Sequence, residues 1–277
     1  MNIEAQTVAT PSFDQWRRSK PALTRLECDL LLGLVTNMSR TQIVINSDQT
    51  LDHTQLKRLE ALESAFNKGT PLAYLLGEKE FFGLAFDVSP AVLVPRPETE
   101  LLVELTIERI DAGQSILDAG TGSGAVAVAI AHTRPKVEVT GCDNSAAALE
   151  IARANAIKHR APVTFYQSDW FAQLPARKWH MIVSNPPYIA PEDPHLAALS
   201  AEPKSALVAG NRGLCALAHI IKHGPRLLHG NGWLLLEHGY DQAKSVRRLM
   251  IDRGFVGVES VLDLGNIERV TLGQWHG

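Results

Sequence analysis

Ser115-Ile116-Leu117-Asp118-Ala119-Gly120-Thr121-Gly122-Ser123-Gly124-Ala125, residues 115–125, is the stretch on which the fold turns. Its apolar start reads as a buried strand. Its alternating glycines read as a loop, and the run from Ala125 to Ala131 reads as a helix. Glycine between a strand and a helix lets backbone come close to a ligand. The spacing is G-x-G-x-G, not the G-x-G-x-x-G of dinucleotide enzymes. Glycine loops also serve nicotinamide enzymes and plain tight turns, so these residues alone leave the ligand open.

Around this stretch the chain alternates. Strands are expected at 115–119, 137–143, 163–168, 180–184, 232–238, 255–263 and 268–275. Helices are expected at about 98–110, 124–133, 145–159, 211–228 and 240–253. Such alternation predicts a mostly parallel sheet covered on both faces. The last two strands are separated only by Asp263-Leu264-Gly265-Asn266, so they should pair antiparallel.

Several chemical groups fall at the carboxyl ends of these strands, where open α/β sheets bind ligands. Asp143 closes the second strand and can accept both hydroxyls of a ribose, although an acid there also suits a helix cap. Asp169 and Trp170 close the third. Asp169 can accept from an adenine amino group and Trp170 can pack on the ring, although a lone Trp is more often core. Asn185-Pro186-Pro187-Tyr188 closes the fourth. Pro187 pushes Pro186 into an extended conformation and both prolines lack an N–H. The Asn185 side-chain oxygen and the Pro186 carbonyl can then face one point, with the Tyr188 ring beside it. Two acceptors and an aromatic face suit a planar group that carries an NH2.

Composition limits the alternatives. The 277 residues are 45% hydrophobic and carry a net charge of -3, which disfavours a broad nucleic-acid binder. Cys28, Cys142 and Cys215 are far apart and form no CxxC pair, which points to a reducing cytoplasm. No signal sequence and no membrane span is expected. His219 and His223 have HxxxH spacing but no evident third ligand, so no metal is expected. Glu237-His238 reads as a satisfied strand-end pair. Arg96 and Glu98, in a proline-rich turn, suit a role at the site and a structural role equally.

The first seventy residues read differently. Leu23, Leu26, Leu30, Leu31 and Leu34 form a helical stripe, and Asp52 suits the cap of a further helix through Leu56, Leu59, Leu62 and Phe66. Their charges balance, which suits a protein-binding unit or a lid better than a DNA grip. Glu80-Phe81-Phe82-Gly83-Leu84-Ala85-Phe86-Asp87-Val88 reads as a β-hairpin around a glycine.

The order GxGxG, acid, Asp-Trp, NPPY resembles class I S-adenosylmethionine-dependent methyltransferases. The resemblance is closer to the protein-(glutamine-N5) methyltransferase family of the HemK/PrmC type, and it runs from about residue 13 onward. It is carried by Gly77 to Phe81, Val94-Pro95-Arg96-Pro97-Glu98-Thr99-Glu100, Asp118 to Gly124, Ser184 to Ile189, Glu202-Pro203 with Ala206-Leu207, Leu234 to Gly239, and Glu268-Arg269-Val270. One departure is Ala201, where an aromatic residue is expected before Glu202-Pro203; it puts the 190–205 loop in question.

The resemblance implies an α/β, Rossmann-like methyltransferase domain over 98–277. A linking hairpin would span 77–97, a helical substrate-recognition domain 12–76 and a flexible tail 1–11. It implies S-adenosylmethionine as cofactor, contacted by Gly120, Thr121, Gly122, Ser123, Gly124, Asp143, Trp170 and Asn185, to which the adenine reading adds Asp169. It implies a substrate glutamine, in the Gly-Gly-Gln loop of peptide-chain release factors, held by Asn185, Pro186, Pro187 and Tyr188. Asn185, Pro186 and Tyr188 would be catalytic. The rivals are a methyltransferase acting on adenine N6 or guanine N2, a ribosomal-protein glutamine methyltransferase, and a cofactor-binding regulatory module. The neutral N-terminal region argues against the first and the Arg96–Glu100 stretch against the second.

Overall fold

The computed structural model describes residues 10–277, so the expected tail lies almost wholly outside the described residues. The chain forms two compact units, one ending at Leu76 and one spanning Gly77–Gly277.

The smaller unit holds α1 (Phe13–Arg18), α2 (Arg25–Thr36), α3 (Arg40–Ile45), α4 (His53–Asn67) and α5 (Leu72–Leu76). Its first four helices each begin with a capping box: Ser12 with Gln15, Thr24 with Glu27, Ser39 with Gln42, and Asp52 with Gln55. Each box satisfies backbone donors that a helix start leaves unpaired. Asp52 caps α4 as its position predicts. The leucine stripe differs from expectation. Thr24 starts α2 after Leu23, and the face that turns inward is Cys28, Leu31, Leu32 and Val35, while Leu26 is 47% exposed. Spacings of three, four and seven from Cys28 define that face.

The larger unit opens with a hairpin of β1 (Glu78–Phe81) and β2 (Leu84–Asp87). Phe82 and Gly83 at its tip both have positive φ, the geometry of a two-residue hairpin turn. A 3-10 turn, Pro97–Thr99, leads into α6 (Glu100–Arg109). Then follow β3 (Ser115–Ala119), α7 (Ala125–Thr133), β4 (Glu138–Asp143), α8 (Ala146–Lys158), β5 (Val163–Gln167) and β6 (Trp179–Ser184). The chain continues through α9 (Lys204–Leu207), α10 (Cys215–His223), β7 (Leu228–Glu237), α11 (Ala243–Arg253), β8 (Val256–Leu262) and β9 (Glu268–Trp275). The helix expected over 211–228 is shorter because Gly224-Pro225 turns the chain into a 3-10 segment, Gly224–Leu227. β7 starts correspondingly earlier.

The sheet order is β5-β4-β3-β6-β7-β9-β8. β5, β4, β3, β6 and β7 run parallel, and β9 is antiparallel to both β7 and β8. This is the Rossmann-like α/β arrangement that the alternation predicts. Strand alternation feeds two cores. On β6, Met181 and Val183 join the layer of Leu102, Val103 and Val126, while Ile182 joins that of Leu217, Val246 and Met250; Trp179 joins the latter too, beyond a register shift between it and Met181. Each such aliphatic side chain, fully buried, contributes about 1.5–3 kcal/mol. Strand order reverses between β3 and β6, so the loops leaving their carboxyl ends diverge and open a crevice.

Candidate active site

The loop after β3 is built for close approach. Gly120 and Gly122 have φ of 78° and 55°, a region open to glycine at little cost. No atom lies within 4 Å of where a Cβ on Gly122 would stand. The Gly120 and Thr121 N–H groups both donate to the Cys142 carbonyl at 2.9 Å, which pins the loop to the end of β4. Gly124 serves packing: a Cβ there would stand 3.1 Å from Ala152, so its absence lets α7 meet α8. Asn155 on α8, fully buried, donates to the Ser123 carbonyl at 2.9 Å and to the Asp87 carbonyl at 3.0 Å. It thereby ties the glycine loop to the hairpin. The sequence signals Asn155 only as a polar residue in an alanine-rich helix.

Two acids sit under the loop. Asp143 accepts the Gly122 N–H at 2.9 Å on one oxygen and the Ser145 N–H at 2.9 Å on the other. The helix cap itself is Ser145, which accepts from Ala148. Each Asp143 oxygen keeps a lone pair for a further donor. Asp118, fully buried, accepts the Thr121 hydroxyl at 2.6 Å. Burial pushes its carboxyl up to about 7, helped by the Asp143 charge and opposed by the Thr121 hydroxyl and the Ala127 N–H.

The crevice is a cavity of about 1020 Å³, part of it open to solvent. Gly120, Thr121, Gly122, Ser123 and Asp143 line one side. Asp169 and Trp170 line another, with the Trp170 ring against Gly120 at the tip of a left-handed turn (φ 50°). Asn185 and Pro187 line the far wall. Asp118, which carried no expected role, lines it as well. Gly124, Pro186 and Tyr188 do not line it.

At the Asn185 corner the side-chain nitrogen is committed. Asn185 Nδ2 donates to Thr99 Oγ1 at 3.0 Å. Among the described residues no donor engages Asn185 Oδ1, so the oxygen is the free end of the amide. Tyr188 stands behind the cavity lining. Its ring packs into the core layer that holds Leu217 and Leu236, and its hydroxyl donates to Glu237 Oε1 at 3.2 Å. Burial and the Glu237 charge push the Tyr188 phenol up. Its carbonyl accepts from Gln242 Nε2 at 3.0 Å, and Gln242 Oε1 accepts the Gly239 N–H at 2.9 Å. Gln242 thus clamps the corner to the chain after β7, a long-range role that no local pattern announces.

Glu237 and His238 diverge, as successive strand residues do. His238 shares a hydrogen bond with Thr271 at 2.8 Å, away from the cavity. Glu237 turns to Tyr188, so the satisfied pair expected at this strand end is not what forms. Arg96, which lines the cavity, pairs with the buried carboxylate of Glu202, whose other oxygen accepts the Val94 N–H at 3.0 Å. Glu98 is exposed, while Glu100 accepts the Phe82 N–H at 2.9 Å and steadies the hairpin tip. The 190–205 loop is held despite Ala201: Asp193 caps a 3-10 segment, Pro194–Leu199, and Ile189 pairs with Val208. His219 stacks on Phe171, and among the described residues no cluster of three metal-ligating side chains occurs.

This geometry has relatives. Residues 97–210 match the family described as the methyltransferase small domain, and residues 17–77 match the PrmC N-terminal domain. The release factor glutamine methyltransferase of Burkholderia pseudomallei is 47% identical, with 100% of each chain covered. That of Escherichia coli is 42% identical over 91% of this chain and 92% of its own. A methyltransferase from Pyrococcus furiosus superposes with a TM-score of 0.56 at 17% identity, covering 78% of this chain and 98% of its own, a likeness of fold. Identity at this level along the whole length, over both domains, makes the chain a member of the release factor glutamine methyltransferase family.

Proposed function

We propose that this protein methylates the side-chain nitrogen of the glutamine in the Gly-Gly-Gln loop of release factors, and that the Asn185 corner holds that amide against the cavity. The observation that carries this reading is the shared cavity. Asn185, its oxygen unengaged, faces the same space as the Gly120–Ser123 loop and Asp143.

The residues present fit S-adenosylmethionine. The space above the Gly122 Cα is what a Cβ would fill, so backbone can lie against the ligand there. Asp143 offers acceptors for ribose hydroxyls, and Trp170 and Asp169 offer a ring face and an acceptor for adenine. S-adenosylmethionine supplies a methyl group activated by a sulfonium. The protein's task is to orient the nitrogen that receives it. An amide nitrogen is a weak nucleophile because its lone pair is delocalised into the carbonyl. In this reading Asn185 Oδ1 accepts one N–H of the substrate amide, which orients the NH2 and stabilises positive charge growing on nitrogen, while the Pro186–Pro187 pair keeps the corner stiff. Holding both reactants in line contributes up to roughly 7–11 kcal/mol in the best cases. Tyr188 acts from behind, as a brace for the corner. The methylated amide is acidic and gives up its proton without a strong base.

The helical unit ending at Leu76 serves recognition of the substrate protein, and the reducing cytoplasm is the place of action. No direct nucleic-acid contact is expected. Mass spectrometry of tryptic peptides provides the test. Release factor, ribosomal protein and an oligonucleotide are each incubated with enzyme and cofactor. One added methyl on the Gly-Gly-Gln peptide alone supports the reading; methyl on either rival substrate overturns it.

A further inference from the structure

The end of the sheet that carries Asn185 also carries an apolar rim outside the cavity. β9 runs antiparallel to β7 with Val270 opposite Glu237, so β9 starts where β7 ends. The turn between β8 and β9, residues 263–267, therefore projects from the same end as Asn185, which follows Ser184 on β6. The His238 N–H prolongs the ladder to the Arg269 carbonyl at 3.0 Å, and the chain then leaves through Gly239-Tyr240. Leu264, in the turn, is fully exposed; Leu262, Ile267 and Tyr240 are exposed as well. None of the four lines the cavity.

The turn that presents Leu264 is fixed. Asp263 Oδ1 accepts the Gly265 N–H at 2.8 Å and the Ile267 N–H at 3.0 Å, and Oδ2 accepts Arg269 Nε at 3.1 Å. The Asp263 N–H donates to the Ile267 carbonyl at 2.9 Å. The charges of this segment are engaged within the chain: Asp263 with Arg269, and Glu268 with Arg247 on α11. What remains on offer is apolar surface on a preformed frame. Exposed apolar residues scattered singly need no explanation, whereas a group of them at one end of the sheet marks an interaction site.

We propose that Tyr240 and the β8–β9 turn form a docking rim for the substrate protein, seated in an apolar hollow on the release factor beside its glutamine loop. The inference rests on the proposed function and deepens it.

The substrate segment itself calls for such a surface. A Gly-Gly-Gln stretch offers one side chain, so affinity for the whole protein has to come from ground beside it. The sheet places the rim within reach. β6, β7, β9 and β8 are successive neighbours. At a strand spacing of about 4.8 Å, the turn lies roughly 10–14 Å across the sheet from Asn185. A stable interface covers about 800 Å² on each partner, a disc roughly 16 Å in radius. A protein centred on the Asn185 corner therefore covers Tyr240 and the turn. A rigid turn loses little conformational freedom on docking, and a tyrosine gives a large apolar face with a polar tip.

The test uses the full-length enzyme and intact release factor. Leu264→Asp, Leu264→Met and Tyr240→Ala are compared with Ile157→Ala, an exposed residue of α8, which packs on β5 at the opposite edge of the sheet. Leu264→Asp should raise KM for release factor roughly 10- to 100-fold and Tyr240→Ala roughly 5- to 20-fold, with kcat at saturation within about twofold of wild type. Leu264→Met should stay within about threefold, and Ile157→Ala should match wild type. Cofactor affinity by calorimetry and melting temperature should be unchanged throughout. The loss in Leu264→Asp should be equal at about 0.05 M and about 0.5 M salt, because no ion pair is involved. Affinity for labelled release factor is also read by fluorescence anisotropy, without turnover. A wild-type KM in Leu264→Asp overturns the proposal, as does a loss confined to kcat or to cofactor affinity. Sedimentation that finds a wild-type dimer, dissociated by Leu264→Asp with KM unchanged, assigns the rim to a second copy and overturns it too. If release factor gains no methyl on its Gly-Gly-Gln peptide, the proposed function falls; the anisotropy comparison of wild type with Leu264→Asp still judges the rim.

Discussion

Arg96, in the cavity wall, pairs with the carboxylate of Glu202, 106 residues away in sequence. The guanidinium grips a carboxylate whose side chain is 2% exposed, and the same carboxylate fixes Val94. Residues on both sides of this pair, Leu93 and Pro95 on one strip and Pro203 and Ser205 on the other, line the cavity. The pair is thus the tie between two strips of its wall.

Replacing Arg96 with Ala should loosen both strips at once. Breaking a buried ion pair costs about 3–5 kcal/mol, and the partial exposure of Arg96 places this case at the lower end. Denaturant melts should show that loss, and calorimetry should show cofactor affinity weakened about tenfold or more. Unchanged affinity in a folded Arg96→Ala protein contradicts the role of the tie.

Asn185→Ala should bind cofactor normally and turn over release factor roughly 10²–10³-fold more slowly, the scale for one lost transition-state hydrogen bond. Binding and single-turnover assays on one preparation separate the two effects. Full turnover would remove Asn185 from the chemistry.

Asp143→Ala should weaken cofactor binding by roughly 10- to 100-fold, the loss of one or two hydrogen bonds to a charged acceptor. Asp143→Asn should lose less, because one amide oxygen still accepts from the Gly122 N–H. Calorimetry that finds equal affinities for all three proteins rejects the ribose assignment.

Stability should depend on pH through Asp118. Its folded pKa, about 7, lies above the ordinary value of 3.8. Between those values the folded state holds a proton that the unfolded state has released. Stability without cofactor should therefore fall as pH rises from about 4 to about 7, by on the order of a few kcal/mol. Glu237, also at about 7, acts in the same direction. Urea melts at several pH values should show this slope, and Asp118→Asn should flatten it.

Gly213→Ala should unfold or displace the corner. Gly213 has φ of 81°, and a Cβ there would stand 1.9 Å from the Tyr188 carbonyl oxygen. Left-handed strain and overpacking each cost about 1–3 kcal/mol. A melting temperature equal to wild type contradicts this close approach.

That the glycine loop, Asp143, Trp170 and Asn185 gather at one cavity is legible because each is local: a strand, a turn and a particular side chain at the strand's end. The setting of the Tyr188 ring is not legible in the sequence. An aromatic after two prolines reads as a surface for the substrate, and nothing local announces that the partly buried ring also packs against the layer of Leu217 and that its hydroxyl reaches Glu237. Leucine spacing alone misphases the stripe of α2, because the Thr24–Glu27 capping box starts the helix after Leu23. The packing role of Gly124, whose missing side chain lets α7 meet α8, likewise leaves no mark in the loop pattern.

Local patterns were enough for the alternation of strands and helices, the glycine loop, the stiff Asn-Pro-Pro-Tyr corner and the hairpin tip, since these follow from backbone preference and hydrophobic period over a few residues. Folding in three dimensions was needed for the pairings of Asn185 with Thr99, Tyr188 with Glu237, Arg96 with Glu202 and Asn155 with the glycine loop. These partners lie 32 to 106 residues apart. Hydrogen bonds over such separations leave no periodic trace along a chain; they arise because a parallel sheet gathers the ends of distant strands into one crevice.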